Sequence, residues 1–150
     1  MLRIEFAVTG KTKEKWIQAG IEKYLKRLKH YSQLTYSELP DPAQSKKIRD
    51  SKILQTLGPH DLLVLLDEKG LEFTSVMGSQ WLEKISHHCA GKIVFAAGGA
   101  YGFTEEEYAR ADYKLSLSKM TFTHEMVRVF FLEQLYRLLS IQRGEPYHHE

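Results

Sequence analysis

The stretch from Leu115 to Arg137, LSLSKMTFTHEMVRVFFLEQLYR, holds the residues best suited to chemistry. A short apolar alternation, Leu115-Ser116-Leu117-Ser118, reads as the last buried strand of a sheet. A polar loop, Lys119 to Thr123, follows, with Thr123 placed to cap a helix that starts near His124. That helix is apolar on nearly every side, with Met126, Val127, Val129, Phe130, Phe131, Leu132, Leu135, Tyr136, Leu138, Leu139 and Ile141. Its few polar residues therefore stand out. At about 100° per residue, His124 and Arg128 share one face, and Glu133 and Arg137 share roughly the opposite one. Imidazole and guanidinium groups suit proton transfer and anion binding. The polar tail from Gln142 onward ends Pro146-Tyr147-His148-His149-Glu150, an aromatic and two more imidazoles where a mobile terminus is the default expectation.

Other motifs carry less. Gly10-Lys11-Thr12 follows the first strand like the end of a phosphate-binding loop, but the glycine that pattern needs five residues earlier is Glu5. Gly98-Gly99-Ala100-Tyr101-Gly102 lacks the dinucleotide spacing and follows the fourth strand, not the first. Its glycines suit a tight turn and close approach of a ligand equally well. The pairs His87-His88 and His148-His149 do not make a metal site, since helical neighbours diverge and no cysteine or carboxylate completes a ligand spacing. A G-x-S-x-G elbow is absent.

These residues need a scaffold, and the hydropathy pattern supplies one. Strands are expected at Leu2–Val8, Leu34–Leu39, Asp61–Leu66, Ile93–Ala97 and Tyr113–Leu117. Helices are expected at Lys13–Tyr31, Ala43–Leu57, Thr74–His88, a short segment capped by Thr104, and the long helix from His124 to Ile141. Alternation of this kind predicts one α/β domain over residues 1–150, with a mostly parallel sheet flanked by helices. Leu62–Leu66 and Ile93–Ala97 are continuous apolar runs of the kind buried on both faces. Ligands in such sheets sit beyond the carboxyl ends of the strands. Leu66-Asp67, Gly98 to Gly102 and Ser118 to Phe122 occupy that edge. A helix apolar all round needs cover on both sides, which in 150 residues predicts a second subunit.

Composition agrees with a soluble globular chain, 43% hydrophobic and 27% charged, with no signal-peptide pattern and no bilayer-length apolar run. The single cysteine, Cys89, excludes an internal disulfide and fits a cytoplasmic location. Net charge is only +2, from 21 basic and 19 acidic residues, and does not by itself point to nucleic acid. Lys11, Lys13, Lys15, Lys23, Lys26, Arg27 and Lys29 crowd the first thirty residues, however. They read as a solvated helix face ahead of a phosphate-binding surface.

Gly98-Gly99, the run Leu115 to Phe122, then His124, Arg128, Glu133-Gln134, Tyr136-Arg137 and the closing Pro146-Tyr147-His148-His149 together make a resemblance. Over its whole length the chain resembles the RlmH family, SPOUT-class methyltransferases of bacterial large-subunit ribosomal RNA. Departures are mild: Ala100-Tyr101 sits where the glycine loop varies, and Phe103 stands where leucine is common. The resemblance implies a SPOUT-type fold whose C-terminal strand, loop and helix form a trefoil knot, and a homodimer. It implies S-adenosylmethionine as cofactor, held by Leu66, Gly98, Leu117, Ser118, Lys119, Met120, Thr121 and Phe122. The implied reaction methylates N3 of a pseudouridine in 23S ribosomal RNA, on assembled ribosomes, without metal or membrane.

A sulfonium methyl donor needs alignment more than covalent help, while the imide N3 must lose a proton. On the resemblance, His148 is the expected base or orienting group, Tyr147 stacks on the target base, and Arg137 meets phosphate or the developing anion. Lys11, His124 and Arg128 are expected RNA contacts. Two alternatives stay open: a SPOUT methyltransferase with another RNA target, such as a transfer RNA, and a non-catalytic ribosome-binding protein.

Overall fold

The computed structural model of the protein describes residues 1–41 and 51–149. Its elements run β1 (Arg3–Thr9), α1 (Lys15–Leu28), β2 (Gln33–Leu39), α2 (Lys52–Gln55), β3 (Leu62–Leu71), α3 (Ser75–His87), β4 (Ile93–Ala97), α4 (Glu105–Arg110), β5 (Tyr113–Leu115) and α5 (Met126–Gln142). Of the helix expected at 43–57, residues 43–50 lie outside the described residues, and the remainder contains the short α2. All strand pairs are parallel, in the order β2-β1-β4-β3-β5. The all-apolar β4 sits in the middle and every one of its residues is buried, as a strand covered on both faces requires.

Alternation within the strands sends side chains to two cores. Ile4, Phe6 and Val8 of β1 and Ile93, Phe95 and Ala97 of β4 meet Ile17, Ile21, Leu82, Phe131, Leu132 and Leu135 from α1, α3 and α5. Their neighbours Ala7, Leu63, Leu65, Val94 and Ala96 face Ile53, Leu54, Phe103 and Ala111 on the other side. Local signals explain the helix starts. The Thr74 hydroxyl accepts from the Met77 N–H, and Thr104 forms a full capping box with Glu107. Among the described residues no helix is long and apolar enough to cross a membrane.

The apolar girth of α5 is answered largely inside the chain, because α1 and α3 flank it on either side. Gly20 of α1 lies so close to α5 that a Cβ there would meet Val129 Cγ2 at 2.7 Å. A leucine at position 20 would push the two helices apart; we expect Gly20→Leu to cost about 1–3 kcal/mol in thermal unfolding. Outward apolar surface remains at Trp16 on α1 and at Phe130 on α5, which is 42% exposed.

Two departures from the expected pattern shape the functional edge. β5 ends at Leu115, two residues early. β3 runs on to Leu71, and Leu66 and Leu71 both pair with Leu115, so Asp67 to Gly70 bulge out of the ladder. Gly70 makes this possible: a Cβ there would stand 2.5 Å from the Lys114 carbonyl. Bulges re-aim side chains, and this one turns Asp67 and Glu68 toward the carboxyl edge of the sheet.

Candidate active site

A cavity of about 650 Å³ opens at that edge, within the roughly 300–1,000 Å³ of small-molecule sites. Its walls come from the ends of β3, β4 and β5 and the start of α5. Leu66, Gly98, Leu117, Ser118, Met120, Thr121 and Phe122 line it, as does His124. The three loops expected from sequence thus converge. Lys119 does not fit that expectation. Its side chain is 85% exposed, with Nζ 3.9 Å from a Glu72 carboxylate oxygen, and it does not line the cavity.

The loop from Ser116 to Thr123 is braced throughout. Ser116 Oγ donates to the Ser118 carbonyl (2.9 Å), and Ser118 Oγ accepts from the Met120 N–H (3.0 Å). Thr121 Oγ1 reaches across to Glu68 (2.5 Å), and Phe122 packs on Phe130 at 5.1 Å between ring centres. α5 starts two residues later than expected, at Met126 with Glu125 as its N-cap, and the Thr123 hydroxyl accepts from the Met126 N–H in the turn that leads into it. Gly98 and Gly99 form the opposite lip. A Cβ on Gly98 would lie 3.1 Å from the Gly102 backbone, and Gly102 itself takes φ +76°. Gly98 is therefore required first by closure of its own loop. Gly98→Ala should weaken ligand binding in calorimetry by spreading the 98–102 loop.

Sequence reasoning missed Glu68, Phe103, Tyr108 and Val127 as lining residues. Tyr108 donates to Asp67 Oδ2 (2.7 Å) and packs edge-on against Phe103. Partial burial works against the ionised Asp67. The Lys69 N–H, the Tyr108 hydroxyl and the charges of Lys114 and Lys69 outweigh it and hold the carboxyl below its usual range. Hydrogen bonding to Asp67, with some burial, pushes the Tyr108 phenol up to about 12. A tyrosine in the short, glutamate-rich α4 offered no signal in the sequence.

The expected RNA contacts divide. Lys11 is exposed and His124 lines the cavity. Arg128 is instead completely buried, which corrects its expected role at the RNA. Its Nη1 donates to Thr12 Oγ1 (2.7 Å) and Nη2 to the Thr9 carbonyl (2.8 Å), with Glu38 Oε2 3.7 Å from Nη1. One turn earlier, Glu125 Oε1 accepts the N–H groups of Lys13 and Glu14, both at 3.0 Å, and so caps α1 from a distance. The start of α5 is thereby clamped to the lysine-bearing loop after β1.

The expected catalytic residues form a second cluster. Glu133 Oε1 accepts from Arg137 Nη2 (2.6 Å) and from the Tyr147 hydroxyl (2.9 Å). Arg137 Nη1 donates to His148 Nδ1 (3.1 Å), and its guanidinium lies 4.8 Å from the centre of the Tyr147 ring. Tyr147 also packs edge-on against Tyr136. The tail is therefore docked on α5. Burial, then the Glu133 hydrogen bond, pushes the Tyr147 phenol up, and Glu133 keeps Arg137 charged. Arginine only donates, so a neutral His148 in this contact carries its proton on Nε2. None of these residues lines the cavity. Arg137 lies ten residues beyond Val127, about 15 Å along the helix.

The fold built on the parallel order β2-β1-β4-β3-β5 is similar to that of a solved structure. A probable methylase family protein from Haemophilus influenzae superposes with a TM-score of 0.60 at 14% identity, over 100% of this chain and 72% of that one. The family model described as "Predicted SPOUT methyltransferase" matches residues 2–148. The chain belongs to the SPOUT methyltransferase family. Among its relatives, a protein of Parabacteroides distasonis is 45% identical over 157 residues, covering 99% of this chain and 100% of the relative. One of Cytophaga hutchinsonii is 43% identical over 155 residues with the same coverage, and one of Geobacter metallireducens is 41% identical over 153 residues, with 99% of each covered. All three are named ribosomal RNA large subunit methyltransferase H.

Proposed function

We propose that this protein is an S-adenosylmethionine-dependent methyltransferase that acts on N3 of a pseudouridine in 23S ribosomal RNA within assembled ribosomes, as a knotted homodimer. The observation that carries the reading is the full-length identity of 41–45% to relatives named for large-subunit ribosomal RNA. The cavity suits the cofactor. Leu66, Leu117, Met120 and Phe122 offer apolar flanks for an adenine, and glycines at 98, 99 and 102 admit close backbone approach. When bound, S-adenosylmethionine supplies the electrophilic methyl group.

The chain's own residues then align and deprotonate. His124, at the cavity and directly before the clamping Glu125, is placed to touch RNA. Arg137, kept charged by Glu133, is suited to balance the anion that forms as N3 loses its proton. Tyr147 stays a phenol and can stack or donate. His148 as docked offers Nε2–H, a donor that orients a carbonyl of the base; to take the N3 proton, its Nδ1 must leave Arg137.

Arg137 is fixed on α5 and cannot reach its own cavity. The separation supports a dimer in which one subunit's tail cluster meets the partner's cavity, with the exposed Trp16 and Phe130 as apolar contact surface. A chain defective in the cavity, mixed with one lacking the tail, should then regain activity; inactivity of the mixture would restrict both clusters to one chain. The function itself is tested by transfer of labelled methyl to purified ribosomes, with transfer RNA as control. Labelling of transfer RNA alone would move the target.

A further inference from the structure

Two carboxylates, Asp67 and Glu68, line the cavity, and among the described residues no lysine or arginine does. Glu68 is exposed and already holds the Thr121 hydroxyl. Asp67 is different in kind. Its Oδ1 accepts the Lys69 N–H (2.9 Å) and its Oδ2 accepts the Tyr108 hydroxyl (2.7 Å), so the group is fixed at the cavity wall by two donors. The bulge after Leu66 aims it there, and Tyr108 is itself braced against Phe103. Around this anion the cavity presents apolar side chains, glycines, hydroxyls and the His124 ring, while the charges of Lys114 and Lys69 act on it from outside the lining. Such a wall distinguishes ligands by charge.

Resting on the methyltransferase reading, we infer that Asp67 selects for positive charge at the cofactor's sulfur, favouring the sulfonium donor over the thioether product. Methyl transfer breaks the carbon–sulfur bond, with its electron pair returning to sulfur, while the N3 lone pair forms the new bond and the N3 proton passes to a base. The cofactor's sulfur thus loses its positive charge, and with it the attraction to Asp67. This attraction fades toward the transition state, so it does not speed the chemistry. It favours loading of fresh donor and departure of product, a step that limits many enzymes. Tyr108 is the positioning residue for Asp67.

Calorimetry on the full-length protein tests this with three probes: S-adenosylmethionine, S-adenosylhomocysteine, and sinefungin, in which a protonated amine replaces the sulfonium. A partly exposed ion pair predicts that Asp67→Asn weakens the two cations about five- to tenfold and the thioether less than about twofold. Equal weakening of all three would overturn the inference and assign Asp67 to the ribose or amino acid moiety that they share. No weakening of any would remove Asp67 from the site. If the parent binds none of the three, the cofactor reading itself fails. Should Asp67→Asn not fold, salt titration of the parent decides instead. Raising salt must shrink its preference for S-adenosylmethionine over S-adenosylhomocysteine, and a salt-independent preference would overturn the inference.

Discussion

Removing residues 146 to 150 is expected to lower methyl transfer to ribosomes by about two orders of magnitude or more, with cofactor affinity and dimerisation close to those of the parent. The size follows from the roughly 10²–10⁴-fold contribution of a positioned acid or base. The selectivity follows from geometry. Tyr147 and His148 rest on Glu133, Arg137 and Tyr136 near the far end of α5, and none of them lines the cavity. His148→Asn refines the result, because asparagine keeps a donor but does not titrate. A single-turnover rate within a few-fold of the parent would leave His148 the orienting donor that its contact with Arg137 suggests. A large loss with normal ribosome binding would make it the base.

The second large effect is expected at Arg128. Replacing it by methionine, of similar length, removes the two donors that hold the Thr9 carbonyl and the Thr12 hydroxyl and leaves Glu38 without its cation. Loss of one partner from a buried pair costs about 3–5 kcal/mol, and partly exposed Glu38 sets the lower end here. For 150 residues, about 3 kcal/mol corresponds to a fall in Tm of about 6–12 °C. Cofactor affinity should fall as well, since His124 and Val127 line the cavity from the same clamped segment. A Tm within about 2 °C of the parent, together with lost RNA binding, would return Arg128 to the RNA surface.

The contrast between Arg128 and Leu66 marks how far the sequence could be read. That Leu66, Gly98, Leu117, Ser118 and Met120 to Phe122 would meet at one edge was legible, because strand ends in a parallel sheet share that edge and apolar runs broken by polar loops reveal those ends. Arg128 was placed on the His124 side of the helix, but spacing along one helix does not say what packs against it. The loop after β1, 116 residues away from Arg128 at Thr12, supplied that neighbour. Lys119 is similar: its side chain leaves the loop toward Glu72 while Ser118 and Met120 to His124 line the cavity, and spacing along an irregular loop does not say which residue turns away. The bulge at Asp67–Gly70 was hidden because Gly70 reads as a turn, whereas its contact is with Lys114 on β5. The apolar girth of α5 had two sources of cover, α1 and α3 within the chain, before any second subunit is needed.

The most direct measurement is mass mapping of methylated nucleosides in 23S ribosomal RNA from cells with and without this protein. We predict that one pseudouridine carries an N3 methyl group only when the protein is present, and that the mark returns when purified protein and S-adenosylmethionine are added to the deficient ribosomes. Identical methylation in both cell lines, or a missing mark on transfer RNA and none on the ribosome, would contradict the account.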